Sequence, residues 1–512
     1  MNIIKKISFL ALIILALNSN AQNIELLQDL TGDSEDGIYS YGIESASTSN
    51  LLYFQGRPFF STKIYSSTGV KGNANELGFN DSLFDPKFIT TSGDNLFFLA
   101  RGSQKALYVY NETNKSITVL LNNEGGDNLG LFPMKNNSAL LVRSKATSNK
   151  PDEIWFTNGT KGGTKLIYES QEFPSTIDFS RFGDALIISD GSTNITQKQA
   201  IICDGTQAGT MTIKDYLSSS IAINYVDDAF GVDNKLFIYA KTTSGKNNNY
   251  MISNSTTFKD LGNIGSINSI SRIGSKYIFY LFRELRVYDT TTSKLEYLSD
   301  MGSFEFTVGG DNKFFFTKDG TSRKELWETN GTASGTIRIS DNVSSTFLQS
   351  YRAINNGTKL HYLKNLSTVE LWEYDYITKT NLKITDLYPS PPINFIPTLF
   401  YFKGKLFFGK ETTKEGFELW YLNLSTGTIN QEEQKNKFVY FDQSNKMLVR
   451  NIDFENIKLK IQIYNFEGKL MNEIDNNYES KILLSDLTMP GVYLVKIIQG
   501  DQNQTLKISL TD

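Results

Sequence analysis

The sequence predicts an all-β protein whose main part is a β-propeller. A two-part pattern recurs about nine times between residues 22 and 434, at a spacing of roughly 37 to 50 residues, which is typical of four-stranded propeller blades. The composition also favours strands, since Phe and Tyr number 35 and 26 and Pro only 10. Because known rings usually have four to eight blades, we expect eight to nine blades here. If one unit is not a full blade, the weak copies between Tyr250 and Tyr288 are the best candidates.

The length, the net charge and the residue counts exclude several kinds of chemistry. At 512 residues the chain is long enough for several domains or one closed repeat array. The net charge is -4, and the chain has no long basic run, so binding to nucleic acid has no electrostatic basis. One cysteine, Cys203, and one histidine, His361, exclude a disulfide framework and make triad or multi-histidine metal sites improbable.

Residues 1–21 have the pattern of a secretory signal peptide. Lys5 and Lys6 precede an apolar run from about Ile7 to Leu17, and small residues lead to a cleavage site between Ala21 and Gln22. The run is too short for an ordinary membrane span, although a single anchoring helix is the alternative. We therefore expect export across the inner membrane and no transmembrane span in the mature chain.

The first part of the repeat is a tight turn followed by large apolar residues. Pairs such as Gly93-Asp94 and Gly404-Lys405 supply the positive φ angles of hairpin turns. Short apolar runs between turns indicate strands buried on both faces. The runs begin at Leu51, Leu96, Ala139, Leu186, Leu236, Tyr277, Phe314, Leu360 and Leu406.

The second part is a Glu-Leu-Trp strand followed by an Asn/Asp-Gly-Thr turn. One four-stranded blade cannot bury both faces, so neighbouring blades must pack face to face. We predict that the tryptophan packs between blades and that the turn links the third strand of a blade to the outermost one. All four tryptophans occupy this position, and tyrosine replaces them in weaker copies: Trp155, Trp327, Trp372 and Trp420, with Tyr65, Tyr108, Tyr250 and Tyr288.

The ring must also close. The last repeat lacks an apolar outer strand, whereas an isolated strand, Ile24-Glu25-Leu26-Leu27, stands at the start of the mature chain. We predict that this N-terminal strand completes the last blade.

A second domain follows a polar linker near residues 431–436. Residues 437–512 contain apolar strands separated by turns, which predicts a small β-sandwich of about seven strands. The predicted strands are 447–449, 459–464, 481–484, 492–497 and 505–508.

This domain resembles the type A C-terminal sorting domain of the type IX secretion system of Bacteroidota. The resemblance rests on Tyr464, Asn465 and Gly468 in one segment and on Gly491 and Tyr493 in another. It implies that the secretion machinery is a partner and that the chain reaches the outer-membrane surface or the exterior. The repeats are similar to Glu-Leu-Trp-x-x-Asp-Gly-Thr repeats of bacterial surface proteins, which imply no settled activity.

No residue stands out as catalytic. Cys203 replaces a Thr-like strand residue, and we expect it to pack rather than react. His361 replaces an apolar strand residue, and we expect it to be semi-buried. The acidic segment 33–37 gathers carboxylates as calcium requires, but it lacks the EF-hand spacing, so an exposed turn is favoured. We predict no cofactor, with calcium the one alternative.

Two classes of function remain. The first is a secreted or cell-surface binding or scaffold protein whose propeller presents loops to a protein or glycan. The second is a carbohydrate-active enzyme, a glycosidase or lyase, that uses Asp and Glu at the mouth of the channel, chemistry that needs no histidine. The sequence names neither the ligand nor a carboxylate pair.

Overall fold

A computed structural model gives the structure of the chain. The predicted cleavage site, Ala21 and Gln22, lies outside the described residues. The described ranges are 24–32, 35–38, 44–57, 62–78, 84–101, 105–122, 127–144, 152–170, 177–190, 200–281, 284–300, 307–310, 313–319, 324–343, 353–355, 359–365, 368–376, 378–388, 399–424, 439–442, 447–450, 459–465, 470–476, 481–483, 491–499 and 502–510.

The chain divides into two compact units, Met1–Asn423 and Leu424–Asp512. In the described part of the first unit, the strands form nine antiparallel sheets of four strands each. We call these sheets blades 1 to 9 and number the strands in chain order.

Blades 1 to 3 follow one another along the chain. Blade 1 contains β2 (Ser45–Ser47), β3 (Leu52–Gly56), β4 (Lys63–Ser67) and β5 (Ala74–Glu76); blade 2 contains β6 (Phe84–Ser92), β7 (Asn95–Arg101), β8 (Lys105–Asn111) and β9 (Ser116–Asn122); blade 3 contains β10 (Asp127–Met134), β11 (Ser138–Ser144), β12 (Asp152–Thr157) and β13 (Lys165–Ser170).

Blades 4 to 6 repeat the same order. Blade 4 contains β14 (Ile177–Phe182), β15 (Ala185–Asp190), β16 (Ile201–Cys203) and β17 (Thr210–Thr212); blade 5 contains β18 (Ile223–Val232), β19 (Lys235–Thr242), β20 (Asn247–Asn254) and β21 (Thr257–Gly262); blade 6 contains β22 (Ile267–Ile273), β23 (Lys276–Leu281), β24 (Glu284–Asp289) and β25 (Lys294–Asp300).

Blades 7 to 9 complete the array, and the last blade includes the N-terminal strand. Blade 7 contains β26 (Thr307–Gly310), β27 (Lys313–Asp319), β28 (Lys324–Thr329) and β29 (Ile337–Val343); blade 8 contains β30 (Ala353–Asn355), β31 (Lys359–Asn365), β32 (Val369–Asp375) and β33 (Thr380–Tyr388); blade 9 contains β34 (Leu399–Phe402), β35 (Lys405–Thr412), β36 (Gly416–Asn423) and β1 (Ile24–Leu26).

This architecture is a β-propeller, as the sequence predicts. The first strands of neighbouring blades contact one another, for example β2 with β6, β18 with β22 and β26 with β30. The nine apolar runs form the second strand of every blade, and the Trp or Tyr positions lie on third strands. Burial explains the apolar runs, since the first six residues of β7 are all buried.

The N-terminal strand closes the ring, as predicted. β1 pairs antiparallel with β36, with Ile24 opposite Leu422 and Leu26 opposite Trp420. Blade 1 then meets blade 9 directly, since Lys403 Nζ donates to the carbonyl of Asn50 at 2.8 Å. Strands nearly 400 residues apart in sequence thus share one blade.

The idea that one unit between Tyr250 and Tyr288 is not a full blade is wrong. That stretch contributes to blades 5 and 6, and both sheets have four strands. The Glu-Leu-Trp motif is weak in this stretch because it contains no tryptophan. Tyr250 and Tyr288 are only 5% and 2% exposed, so they fill the inter-blade interfaces without an indole ring.

The predicted hairpin turns have the expected backbone. Gly93 has φ +54° and Gly404 has φ +71°, the left-handed region in which glycine has no steric cost. One short helix, α1 (Ile213–Tyr216), follows blade 4, and the Thr212 hydroxyl caps it by accepting from the amide of Asp215.

The second unit has seven described strands in two sheets, in agreement with the predicted number. Tyr464, Asn465, Gly491 and Tyr493 lie on these strands, whereas Gly468 is outside the described residues. One sheet contains β37 (Val439–Asp442), β38 (Met447–Arg450) and β41 (Lys481–Leu483), and the other contains β40 (Leu470–Asn476), β39 (Leu459–Asn465), β42 (Gly491–Gln499) and β43 (Gln502–Leu510).

Candidate functional site

The glutamate and the tryptophan of the Glu-Leu-Trp motif lie on the same face of their strand. This follows from their spacing, because side chains two residues apart in a strand point the same way. In three copies the indole Nε1 donates a hydrogen bond to the glutamate, so the pair satisfies a half-buried indole. The distances are 2.6 Å from Trp155 to Glu153, 3.0 Å from Trp327 to Glu325 and 2.8 Å from Trp372 to Glu370.

A basic side chain faces each glutamate from the second strand of the same blade. It stands directly opposite the glutamate in the strand register, and its charged end lies over the tryptophan ring. Such cation–π contacts stabilise by about 0.5–1 kcal/mol at exposed sites. The opposed pairs are Arg143 with Glu153, Lys318 with Glu325, Lys364 with Glu370 and Lys410 with Glu418, and the cations lie 5.7, 5.2, 3.8 and 5.4 Å from the ring centroids.

In blades 3, 7 and 8 a cation also bonds the glutamate directly. Each carboxylate is therefore compensated in charge as well as hydrogen-bonded to its tryptophan. The contacts are Arg143 Nε to Glu153 at 3.0 Å, Arg338 Nη1 to Glu325 at 2.9 Å and Lys383 Nζ to Glu370 at 2.7 Å.

Three of the tryptophans pack against the blade that precedes their own. The apolar residues around them come from both blades, so these rings lie at inter-blade interfaces. Trp155 packs with Phe97 and Leu107 of blade 2, Trp327 with Ile278 and Val287 of blade 6, and Trp372 with Phe315 and Leu326 of blade 7.

The Asn/Asp-Gly-Thr turn is held by its own side chains. In blade 3, Asn158 Oδ1 accepts from the amide and the hydroxyl of Thr160, at 3.1 and 2.7 Å. The Thr160 hydroxyl accepts from the amide of Gly163 at 3.0 Å. A Cβ on Gly163 would lie 1.9 Å from Asn158 Oδ1, which explains the second glycine of the motif. The same bonds recur from Asp204 and Asn330.

Blade 9 departs from this pattern. The Glu418 side chain is fully buried, and its Oε1 accepts from the backbone amide of Leu30 at 3.2 Å. Among the described residues, Glu418 Oε2 and Trp420 Nε1 are buried without hydrogen-bond partners. Lys410, which faces Glu418 in the strand register, donates to the Thr385 hydroxyl at 2.9 Å.

The segment that covers Glu418 is the continuation of β1, and we call its described residues 27–32 and 35–38 the strap. The amide of Leu27 donates to the carbonyl of Leu419 at 2.9 Å, and the amide of Gly37 donates to the carbonyl of Phe417 at 3.1 Å. On the other side, the amide of Gly72 in blade 1 donates to the Leu27 carbonyl at 2.7 Å. The strap therefore joins blade 9 to blade 1.

The surroundings of Glu418 disfavour its charged form. Burial raises the pKa of Glu418 to about 9; the amide of Leu30 opposes this rise, and the carboxylates of Asp29 and Asp36 add to it. Burial, with Asp36 nearby, also raises the pKa of Glu411. At neutral pH Glu418 is thus a protonated, uncharged acid beneath the strap.

His361 is fully buried, so the expectation of a semi-buried residue is wrong. Its Nδ1 lies 2.8 Å from the Tyr401 hydroxyl in blade 9, and its Nε2 lies 3.0 Å from Glu373 Oε2. Because both ring nitrogens have hydrogen-bond partners inside the protein, burial of the imidazole away from water leaves neither of them unsatisfied. Burial opposes ionisation of Glu373, but hydrogen bonds from His361 and Lys359 outweigh it and lower the pKa of Glu373 to about 2.

Cys203 is buried on β16, and its sulfur accepts from the Thr210 hydroxyl at 3.3 Å. Burial raises the pKa of its thiol, which disfavours a nucleophilic thiolate. In blades 3 and 7 a threonine hydroxyl takes the place of the sulfur, since Thr157 and Thr329 each bond the last threonine of the turn at 2.8 Å.

The acidic segment 33–37 is described only in part, because residues 33 and 34 lie outside the described ranges. Glu35 and Asp36 are exposed, as expected of a turn, whereas Gly37 is buried against Glu418. In the portion of the chain that the structure covers, no group of three or more His, Cys, Asp or Glu is placed to hold a metal ion. In the same ranges, no helix has the length and hydropathy of a membrane span.

A family model matches the C-terminal unit. Residues 445–511 match the family described as the secretion system C-terminal sorting domain. The chain therefore carries a C-terminal secretion sorting domain. This match supports the resemblance to the type IX sorting domain, and with it export of the chain to the cell surface or the exterior. No curated protein matches the chain by sequence.

Solved structures with similar folds have low sequence identity to the chain. Pyrococcus horikoshii acylaminoacyl peptidase is 14% identical with a TM-score of 0.35, over 72% of this chain and 56% of that one. The propeller domain of the Trilobed protease from Pyrococcus furiosus is 13% identical with a TM-score of 0.35, over 68% and 98%. A prolyl endopeptidase is 10% identical with a TM-score of 0.38, over 69% and 55%. The chain thus spans little more than half the length of the two peptidases.

Proposed function

We propose that the protein is a secreted or cell-surface binding or scaffold protein of a Bacteroidota, exported by the type IX secretion system. Its propeller presents loops to a protein or a glycan. The observation that supports this proposal most is the sorting-domain match at residues 445–511 on a chain whose other unit is a closed propeller.

The chemistry of the described residues favours binding over catalysis. Six glutamates are buried in the described residues, and none of them lies on a first strand. Five lie on third strands and one directly follows a third strand: Glu153, Glu328, Glu370, Glu373 and Glu418, and Glu112. Each accepts bonds from other groups of the protein, such as the Leu30 amide on Glu418 and Lys313 on Glu328 at 2.8 Å. These carboxyl groups are engaged in contacts within the protein, so we assign partner recognition to the loops between the repeats.

Export is tested by fractionation of cells that produce the full chain or a chain without residues 437–512. We expect the full chain at the surface or in the medium and the shortened chain in the periplasm. A chain without residues 1–21 is the matched control and should stay in the cytoplasm. Surface delivery of the shortened chain would refute the sorting role.

Binding is tested with the mature chain on a glycan array and in pull-downs with outer-membrane proteins and surface polysaccharide. The proposal expects saturable binding to at least one glycan or protein, without new reducing ends or unsaturated sugars. Release of such products would favour the carbohydrate-active enzyme instead. Absence of binding and of sugar products in both assays would favour a purely structural scaffold.

A further inference from the structure

Blade 6 contains the parts of the Glu-Leu-Trp motif in exchanged positions. Its third strand reads Glu284-Leu285-Arg286, and Arg286 holds the register position that Trp327 and Trp372 hold in blades 7 and 8. Tyr288, which fills the interface, lies two residues further on. The Nε of Arg286 donates to Glu284 Oε1 at 2.8 Å, as the indoles donate to their glutamates. Arginine thus takes the place of the tryptophan in this blade.

The outer strand completes the exchange. In blades 7 and 8 the residue opposite the tryptophan is basic, Arg338 and Lys383, and the indole ring is half-buried at the interface. In blade 6 the residue opposite Arg286 is Tyr297. The Arg286 side chain is 33% exposed, whereas Tyr297 is 54% exposed. The cation therefore lies on the inside and the aromatic ring on the outside, where water covers more than half of it.

The Tyr297 ring faces a cleft between the outer parts of blades 5 and 6. Its strand alternates, so Leu295, two residues earlier, lies on the same face. Leu295 packs with Leu261 and Ile264 of blade 5 against the cluster that contains Tyr288. The outer strands of the two blades therefore line one cleft, and Tyr297 is the next residue along its blade 6 side.

The blade 5 side of the cleft ends in a fixed loop, residues 262–265. The fully buried Asn249 holds this loop, because its Oδ1 accepts from the Ile264 amide at 3.0 Å and its Nδ2 donates to the Gly265 carbonyl at 2.9 Å. A Cβ on Gly262 or Gly265 would meet no atom within 4 Å. The loop is thus held in place and leaves open space beside its backbone.

Polar groups with unused hydrogen-bonding capacity surround the ring. Within the ranges that the structure describes, Arg286 bonds only through its Nε, so both Nη groups remain able to donate to a ligand. Glu284 Oε2 has no partner in the same ranges, and its side chain is 27% exposed. The pKa of Tyr297 is raised, chiefly by a hydrogen bond with the exposed Asp300, which places that carboxylate at the edge of the ring. Donors and acceptors therefore border one exposed aromatic side chain.

We propose that this cleft binds a neutral sugar of a glycan, with the Tyr297 ring as the platform on which the sugar stacks. The inference rests on the proposed binding function and assigns it a site and a class of ligand. The C–H groups on one face of a pyranose ring carry partial positive charge, which suits the negative face of an aromatic ring. The hydroxyls at the edge of the same sugar accept from Arg286 and donate to Glu284 and Asp300.

The charges around the ring favour a neutral sugar over an acidic one. Glu284 and Asp300 balance Arg286 and Lys259, whose ammonium group reaches from blade 5 over the Tyr288 ring. Without an excess of positive charge, a uronic acid or a sulfated sugar gains no attraction here. One ring in a cleft also matches a single sugar, whereas a stable protein interface needs about 800 Å² from each partner.

A glycan array probed with the full mature chain tests the site. The array carries neutral oligosaccharides of glucose, mannose, galactose and xylose, with uronic-acid and sulfated oligosaccharides for comparison. We expect saturable binding to at least one neutral oligosaccharide. Binding should be at least about tenfold weaker in Tyr297→Ala and in Tyr297→Arg, which gives blade 6 the basic outer residue of blade 7, and should be retained in Tyr297→Phe. Because Tyr297 is exposed, the three variants should unfold at the melting temperature of the native chain.

Phe258→Ala is the matched control. Phe258 is also an exposed ring on an outer strand, at 40%, but it lies opposite Ile252 on the face of blade 5 that packs against blade 4. This variant should bind the oligosaccharide as the native chain does, and an equal loss in it would overturn the proposed site.

The remaining outcomes separate the site from the proposed function. If the native chain and Tyr297→Ala bind a neutral oligosaccharide equally, the site is wrong while the binding function stands. If the native chain binds no neutral oligosaccharide, the sugar assignment is overturned, and pull-downs with outer-membrane proteins then decide the binding function. Loss of a protein partner in Tyr297→Ala would make the cleft a protein-binding site instead and would also overturn the sugar assignment.

Discussion

Replacement of Glu418 by glutamine should stabilise the protein at neutral pH. Glutamine keeps the size of the side chain and can still accept from the Leu30 amide, but it has no charge to lose. Native Glu418 must take up a proton on folding at pH 7, because its pKa is about 9 in the fold and ordinarily 4.5. A raised carboxyl pKa means that stability falls as pH rises from the lower value to the higher one.

The magnitude follows from the same values. Over the 2.5 pH units from 4.5 to 7, at 1.36 kcal/mol per unit, the native chain loses up to about 3.4 kcal/mol relative to the variant. We therefore expect Glu418→Gln to gain about 2–3 kcal/mol at pH 7. Near pH 4.5 the two proteins should be nearly equal.

Denaturant unfolding of both proteins at several pH values between 4.5 and 8 measures this difference. Glu370→Gln is the matched control, since Glu370 is paired with Lys383 and Trp372 and should be destabilised by the change. The reasoning fails if Glu418→Gln is less stable than the native chain at pH 7, or if the difference between them does not grow with pH.

Three further substitutions test other parts of the fold by thermal or denaturant unfolding. Trp372→Phe should cost about 1–2 kcal/mol more than Trp420→Phe, because only Trp372 loses a hydrogen bond to a carboxylate; equal costs would contradict the role of the pair. Gly163→Ala should destabilise by about 1–3 kcal/mol and Gly162→Ala by no more than about 0.5, since only the first meets Asn158. A Gly163→Ala variant as stable as the native chain would refute the role assigned to the hydrogen bonds of the turn. Glu373→Gln should cost about 2–3 kcal/mol at pH 7, a difference that should vanish as pH falls from 4.5 towards 2 because the native pKa is lowered to about 2; a constant difference would contradict it.

The sequence predicts the second and third strands of each blade because those strands are buried and carry apolar runs or the motif. First strands are harder to recognise. β2 (Ser45–Ser47) and β30 (Ala353–Asn355) have three residues each and no apolar alternation, so they have no period to detect.

Only some of the contacts of the Glu-Leu-Trp motif could be predicted from the sequence. The spacing of Glu325 and Trp327 places both on one face, and this could have indicated their hydrogen bond. The cation opposite, Lys318, requires the strand register, which depends on turn lengths. The burial of His361 depends on Tyr401 of the next blade, and that of Glu418 on Leu30, 388 residues away in the chain. Contacts of this kind leave no local signal.

Closure of the ring by the N-terminal strand is the claim on which the propeller architecture depends. A cysteine pair at Ile24 and Leu422, in a Cys203→Thr background, tests it through disulfide formation under mild oxidation, followed by peptide mapping. These residues are directly opposed in β1 and β36, so we expect rapid cross-linking. A control pair at Ile24 and Asn75, on the outer strand of blade 1, should remain reduced. Cross-linking of the control pair but not of Ile24 with Leu422 would contradict the closed ring.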